Sequence, residues 1–408
     1  MIITSSKLIS CDRKNSIIDN GALVLRNGAI AAVGSKNNIT KRFRGHRIVH
    51  IPDAVLMPGL INVHAHLELP ALLDDIETTS FTDWVLNLIQ AKKSLHAGDY
   101  RYAAKTNIDA LIQSGTTTVG ETCTHDISPE YLKKSGLRTY IFFEVISMAS
   151  HQSNHKAKIP SHKASAPLLI RFGVSPHSPY TVSESVLLKI KSTASLKQMR
   201  MSMHIAESKD EIKLLQQKKS GLQKLYQFAH WDLDWAPKSA SPFAYLNTLG
   251  ILSPRLLAVH CVQTTVADIA LIKQSHTTVA HCPRSNKALG VGRMPLKKLM
   301  SAGIAVGLGT DSLASVPNLN MWDEMRYAYR IHRSDGVTAQ DIFRLATTGG
   351  AQALGMGKMT GALESGKRAD IIAVPFPAKN TGDIYSDLLR ETKSCIMTMV
   401  DGKILYQK

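Results

Sequence analysis

The sequence predicts an α/β protein: a (β/α)8 barrel over residues 57–358, with a small β domain assembled from residues 1–56 and 359–408. Three observations predict it. Eight apolar, strand-like runs alternate with helical patterns through the middle of the chain, and that β-then-α order is the signature of a parallel barrel. Strand-and-turn patterns occupy both ends. The unusual polar residues of the middle region all fall at the C-terminal ends of the runs. This last point separates a barrel from a doubly wound open sheet. In a barrel the strand ends converge on one face, where active sites lie. In an open sheet the first and last strands are too far apart for their residues to meet.

At the N-terminal end, "GALVLRNGAIAAVGS" is two apolar runs broken by Asn27-Gly28, a hairpin signal. At the other end, Asp401-Gly402 divides two similar runs in "CIMTMVDGKILYQK", and "GALESGKRADIIAVP" adds another. Strands at both termini predict one shared sheet. The first barrel run is "VLMPGLINVHAH"; helical patterns follow from Phe81 to about Leu95 and from Tyr100 to Ser114. The next runs are "GTTTVGE", "LRTYIFFEV", "LLIRFGVSP", "QMRMSMHIAE", "RLLAVHC", "TTVAHCP" and "IAVGLGTD". Between most of them lie helical patterns such as "SESVLLKIKSTA" and "SKDEIKLLQQ", with Ser183 and Ser208 as N-caps.

A chain of 408 residues suits a barrel of about 200–250 residues with an appended module. With 44% hydrophobic and 20% charged residues it can bury a large core. No run reaches the roughly 18 apolar residues of a membrane span. The opening "MIITSSKLISCDRKN" lacks a signal-peptide layout, so a cytoplasmic location is expected. Five cysteines, an odd count without framework spacing, fit reduced thiols. Lys and Arg number 49 against 32 Asp and Glu, a formal charge of +17. The basic residues read as dispersed, as in "KKSLHAGDYRYAAK" and "QQKKSGLQK". A nucleic-acid footprint should cluster, so no nucleic-acid partner is expected.

His64 and His66 end the first run and Glu121 the second. His177 follows the fourth. His204 ends the fifth, with Glu207 just beyond, and His260, His281 and Asp311 end the sixth, seventh and eighth. Period-two geometry places His64 and His66 on one side of their strand. Taken alone, the pair leaves a buried strand and half a metal site as equal readings. With His204 and Asp311 it becomes a set of three imidazoles and a carboxylate that suits zinc or iron(II), with a position left for water. Such an ion would make hydroxide available near neutral pH. Cys261 and Cys282 each follow a histidine and read as small core residues.

The motifs "MPGLINVHAHLE", "SGTTTVGE", "GVSPHSPYTVSE", "MHIAES", "AVHCV", "AHCPRSN", "VGLGTDS" and "GALESGKRADIIAV" resemble the amidohydrolase superfamily. The branch is that of the cytosine, guanine and adenosine-type deaminases and triazine chlorohydrolases. The resemblance runs from about residue 20 to the end. It implies a deformed (β/α)8 TIM barrel with a small β-sandwich built from both termini. It also implies one divalent metal, Zn2+ or Fe2+, held by His64, His66, His204 and Asp311. Binuclear relatives carry a bridging lysine or glutamate at the end of the fourth strand; here that strand ends "RFGVSPHSP".

For hydrolytic deamination, hydroxide attack on an amidine carbon needs a proton shuttle, and Glu207 takes that role. His260 orients the water, and Asp311 shares the proton. His177 matches a substrate-contacting position of the family. His281 and Glu121 join it as substrate contacts, and Glu68 either binds substrate or holds its loop. The segment "HLELP…SFTDWVLNLIQ" resembles 6-aminodeoxyfutalosine deaminases of the futalosine route to menaquinone. That substrate is an adenine nucleoside bearing a carboxyphenyl group, which Arg284 or Arg171 would pair. Alternatives in the class are a deaminase of S-adenosylhomocysteine, methylthioadenosine or adenosine, a guanine deaminase and a triazine chlorohydrolase. From another class comes a non-catalytic basic binding protein. The resemblance allows a homodimer.

Overall fold

A computed structural model of the chain describes residues 1–72, 80–148, 169–232, 236–377 and 382–408. Its strands form two sheets. The first takes β1 (Ile2–Ile9), β2 (Ile17–Arg26), β3 (Ala29–Ser35) and β4 (Ile48–Pro58) from the beginning of the chain. The second holds β5 (Leu60–Ala65), β6 (Thr116–Cys123), β7 (Arg138–Val145), β8 (Ile170–Pro176), β9 (Met201–Ile205), β10 (Leu256–His260), β11 (Thr278–His281) and β12 (Val306–Leu308). β13 (Ile371–Pro375), β14 (Met397–Val400) and β15 (Lys403–Gln407) return to the first. The eight runs read as barrel strands are thus the eight strands of the second sheet.

All neighbours in the eight-stranded sheet are parallel, in simple sequence order. It closes through the residues that follow β12: the His64 carbonyl accepts from the Thr310 and Asp311 amides at 3.0 and 3.1 Å. Asn62 locks the same seam, donating to Thr310 Oγ1 and accepting from its amide. The fold is a nearly closed (β/α)8 barrel. Helix Phe81–Lys92 and helix Ala97–Gln113 follow β5, close to the predicted spans. Ser183 and Ser208 occupy N-cap positions, and the Ser208 hydroxyl accepts from the Glu211 amide.

The seven-stranded sheet runs β15-β14-β13-β4-β1-β2-β3. β4 lies between β1, parallel to it, and β13, antiparallel to it. Both predicted hairpins form. Asn27 and Gly28 have φ of 51° and 72°, and Asp401 and Gly402 have 54° and 77°, the left-handed pairs of type I′ turns. Arg138, at the start of β7, ties the sheets together. Its guanidinium donates to both oxygens of buried Asp370 at 2.7 and 2.9 Å. No helix among the described residues is long and apolar enough to cross a membrane.

Candidate active site

The strand ends bring five side chains together. The His64 ring centroid lies 5.0 Å from that of His66, 5.0 Å from His204 and 6.0 Å from His260. Asp311 Oδ1 stands 3.6 Å from His64 Nε2 and 3.7 Å from His66 Nε2. These separations are long for hydrogen bonds. They fit ligand atoms around one ion, because tetrahedral bonds of about 2.0–2.1 Å set ligand atoms roughly 3.3 Å apart. His64 Nε2 is buried with no hydrogen-bond partner among the described residues, the state of an imidazole nitrogen shaped for a ligand. Two overlapping trios, His64 with His66 and Asp311 and His64 with His204 and His260, each have ligand atoms within 4.8 Å of one another. A divalent ion with a preference for nitrogen and carboxylate fits this donor set.

Backbone turns aim these groups. His260, Asp311 and Ala206 have φ of 70°, 64° and 53°, a left-handed conformation that costs non-glycine residues energy. Along β10, Leu256 and Ala258 pack outward; the turn at His260 rotates its ring back over the barrel mouth. Gly309 permits the closure beneath, since a Cβ there would stand 2.9 Å from His64 Cβ.

Neighbours set the protonation states. His204 Nδ1 donates to the His177 carbonyl at 2.9 Å, which leaves Nε2 as the ring nitrogen available to a ligand. His260 Nδ1 donates to Asn286 Oδ1 at 2.8 Å, with the same consequence. Burial pushes the His64 imidazole down to about 4 and holds His66 well below the usual histidine range, so both are neutral at pH 7. Burial opposes ionisation of Asp311 too, but the pull of His64, with His260 and His66, holds its carboxyl well below the ordinary value. Ser285 Oγ donates to Asp311 Oδ2 at 2.5 Å.

Glu207 Oε1 lies 3.4 Å from His260 Nε2. Burial raises its carboxyl to about 8, with neighbouring His204 working against the rise. Glu211 secures the loop: its carboxylate accepts from the Ala206 and Glu207 amides at 3.0 and 2.8 Å. Above the cluster opens a cavity of about 170 Å³. Helix Phe81–Lys92 supplies Phe81, Trp84, Val85, Leu88 and Ile89 to one wall, and Tyr180 and Trp231 line another.

Residues 55–405 match the amidohydrolase family. The chain belongs to that family. It is accordingly a hydrolase acting on carbon–nitrogen bonds, as read from the motifs. The family is metal-dependent. Over 405 residues the chain is 29% identical to a 5-methylthioadenosine/S-adenosylhomocysteine deaminase of Syntrophobacter fumaroxidans, covering 95% of this chain and 87% of that protein. It superimposes on the aminofutalosine deaminase of Helicobacter pylori, solved with methylthio-coformycin, at a TM-score of 0.89, 24% identity and 99% coverage of each chain. A zinc-bound adenosine deaminase from Xanthomonas campestris aligns at a TM-score of 0.84 with 25% identity, over 99% of this chain and 92% of that one.

Of the residues expected to contact substrate, His177 lines the cavity, with Nδ1 held by Thr181 Oγ1 at 2.8 Å. The structure turns the others elsewhere. His281 lies two residues after outward-packed Val279, and its Nε2 meets His332 Nε2 at 3.0 Å, on the helix side of the barrel. Arg284 bonds Asn318 and faces Glu324 at 3.6 Å. Arg171 is exposed near the start of β8, the opposite end of the barrel, and bonds Met359 Sδ. Buried Glu121 accepts from the Leu67 amide at 2.9 Å, behind the loop that carries His66.

For Glu68 the structure favours the loop. Its carboxylate accepts from the amides of Thr124, His125, Ile127 and Ser128 at 2.6–3.1 Å. Glu68→Ala strands these donors and is expected to lower unfolding stability by about 3 kcal/mol. A denaturant midpoint unchanged from the parent protein would contradict that role. Residues 73–79, within the segment read as setting substrate choice, lie outside the described residues.

Four residues were missed from the sequence. Ser285 and Asn286, neighbours of Arg284 in "HCPRSN", hold Asp311 and His260. Glu211 holds the Glu207 loop, and Glu144 enters the cavity from the end of β7. Their signal was position: each lies at, or within six residues of, a barrel strand end.

Proposed function

We propose that the chain is a metal-dependent hydrolytic deaminase of adenine-type nucleosides. The observation that carries this reading is the buried Glu207 carboxyl beside His260, at the edge of the imidazole–carboxylate cluster and beneath an aromatic-lined cavity. His64, His66, His204 and Asp311 would hold one divalent ion, zinc or iron(II). When bound, the ion supplies a water acidified to near neutrality, with a pKa of about 7.

Glu207 takes a proton from the attacking water and delivers it to the ring nitrogen beside the amidine carbon. A second transfer protonates the leaving amine, so ammonia departs and a carbonyl remains. A carboxyl raised to about 8 exchanges protons readily at neutral pH. His260 Nε2, with its lone pair free, accepts a hydrogen bond from the water and orients it. Asp311, steadied by Ser285, serves as a second proton acceptor.

The substrate class that fits best is an adenine nucleoside with an apolar group beyond the sugar, resting against Trp84, Leu88 and Trp231. 6-Aminodeoxyfutalosine leads, because the segment carrying that resemblance forms helix Phe81–Lys92 of the cavity wall. Methylthioadenosine and S-adenosylhomocysteine come second, on the likeness to their deaminases. The test is ammonia release by metal-loaded protein from these three, adenosine and guanine, with chloride release from a chlorotriazine. Turnover of a 5′-modified adenine nucleoside is expected. Turnover of guanine alone, chloride release alone, or full metal occupancy without turnover would each overturn the reading; the last is what a basic binding protein gives.

A further inference from the structure

One carboxylate lining the cavity takes no part in these steps. Glu144 stands on the inward face of β7, in period-two register with Tyr140 and Phe142, whose rings belong to the interior cluster. Its Oε2 accepts from Thr124 Oγ1 at 2.8 Å. Its Oε1 is buried with no partner among the described residues. A buried carboxylate oxygen without a donor is costly, and such groups persist where a ligand completes them.

Glu144, His177 and His204 have polar atoms within 4.8 Å of one another. His260, with Glu207, lies against His204 as well, its ring centroid 5.4 Å away. His204 thus takes part in two groupings, Glu144 with His177 and His260 with Glu207. With the amine and the ring nitrogen beside it engaged by Glu207, a different part of the substrate is left for Glu144. On an adenine nucleoside, every ring nitrogen away from the amine is an acceptor. The donors left are the sugar hydroxyls.

We infer that Glu144 is a substrate-binding residue that accepts a hydrogen bond from a sugar hydroxyl, so that the site selects ribonucleosides over their deoxy analogues and over free bases. This rests on the nucleoside-deaminase reading above. Neighbouring Thr124, which fixes the other carboxylate oxygen, leaves Oε1 as the free acceptor.

The experiment compares metal-loaded parent protein and Glu144→Gln on the best nucleoside of the panel and on its 2′-deoxy and 3′-deoxy analogues. The parent is expected to prefer the ribonucleoside in kcat/KM by about 10- to 100-fold over one deoxy analogue, the worth of a hydrogen bond to a charged group. Glu144→Gln, whose neutral amide oxygen still accepts, should shrink that preference to a few-fold, mostly through KM, while turnover of the disfavoured analogue stays near the parent value. That retained turnover also shows that the variant folds. Equal losses on all three substrates, or a parent that does not discriminate, overturn the assignment and leave the deaminase reading standing. A parent that turns over free bases but no nucleoside overturns both.

Discussion

Glu207→Gln is expected to keep its metal and lose about 10²- to 10⁴-fold in kcat, the usual worth of a general acid–base group. The amide has the shape of the carboxyl and can still meet His260 Nε2, 3.4 Å away in the parent. It cannot accept a proton from water and return it to nitrogen. Packing and metal content should therefore survive, with turnover alone removed. The measurement is paired: metal per chain by elemental analysis and ammonia release on the same sample. Retained activity would show that another group moves the proton, and Asp311 would be the next to replace. Loss of metal together with activity would instead make Glu207 part of the ion's support.

His204→Ala should lose the metal itself. His204 is fixed twice by the His177 carbonyl, through its ring Nδ1 and its amide, both at 2.9 Å. Its Nε2 thus has one orientation available. Removing a group that merely supports a ligand typically weakens metal affinity about 10- to 100-fold, so removing a direct ligand should cost more. Dialysis against a mild chelator, followed by elemental analysis, should leave the parent loaded and the variant empty, with circular dichroism unchanged. Undiminished occupancy would remove His204 from the ligand set and put His260, which faces the same space, in its place.

The architecture was legible because it rests on periodicity. Eight apolar runs with polar tips became eight parallel strands, and Asn27-Gly28 and Asp401-Gly402 became the expected turns. The cluster was legible for a related reason: strand ends of a barrel meet, so residues far apart in sequence can be grouped by register alone. What the sequence does not reveal is which way a side chain turns. His281 ends a strand as His260 does, yet His260 is rotated inward by its left-handed backbone while His281 keeps the outward side. Arg284 was chosen for its charge, but its neighbours Ser285 and Asn286 reach the site from the start of the same helix. Glu144 carried a strand-end signal as clear as that of Glu121. Lys41, Arg42, Arg44 and Arg47 are exposed on either side of Phe43 in the chain, with the Arg42 guanidinium over its ring.

The small sheet has a consequence for how the molecule is made. β4 ends at Pro58, and its partner β13 begins at Ile371, about three hundred residues later. At roughly 5–20 residues per second, the free edge of β4 waits on the ribosome for about 15 to 60 seconds before its partner is synthesised. During that time a strand edge with buried-type residues such as Val55, Leu56 and Met57 is open to pairing with other chains. The whole barrel must emerge before that edge is covered, so the yield of folded protein should respond to the speed of translation and to chaperones that shield the nascent N-terminal strands.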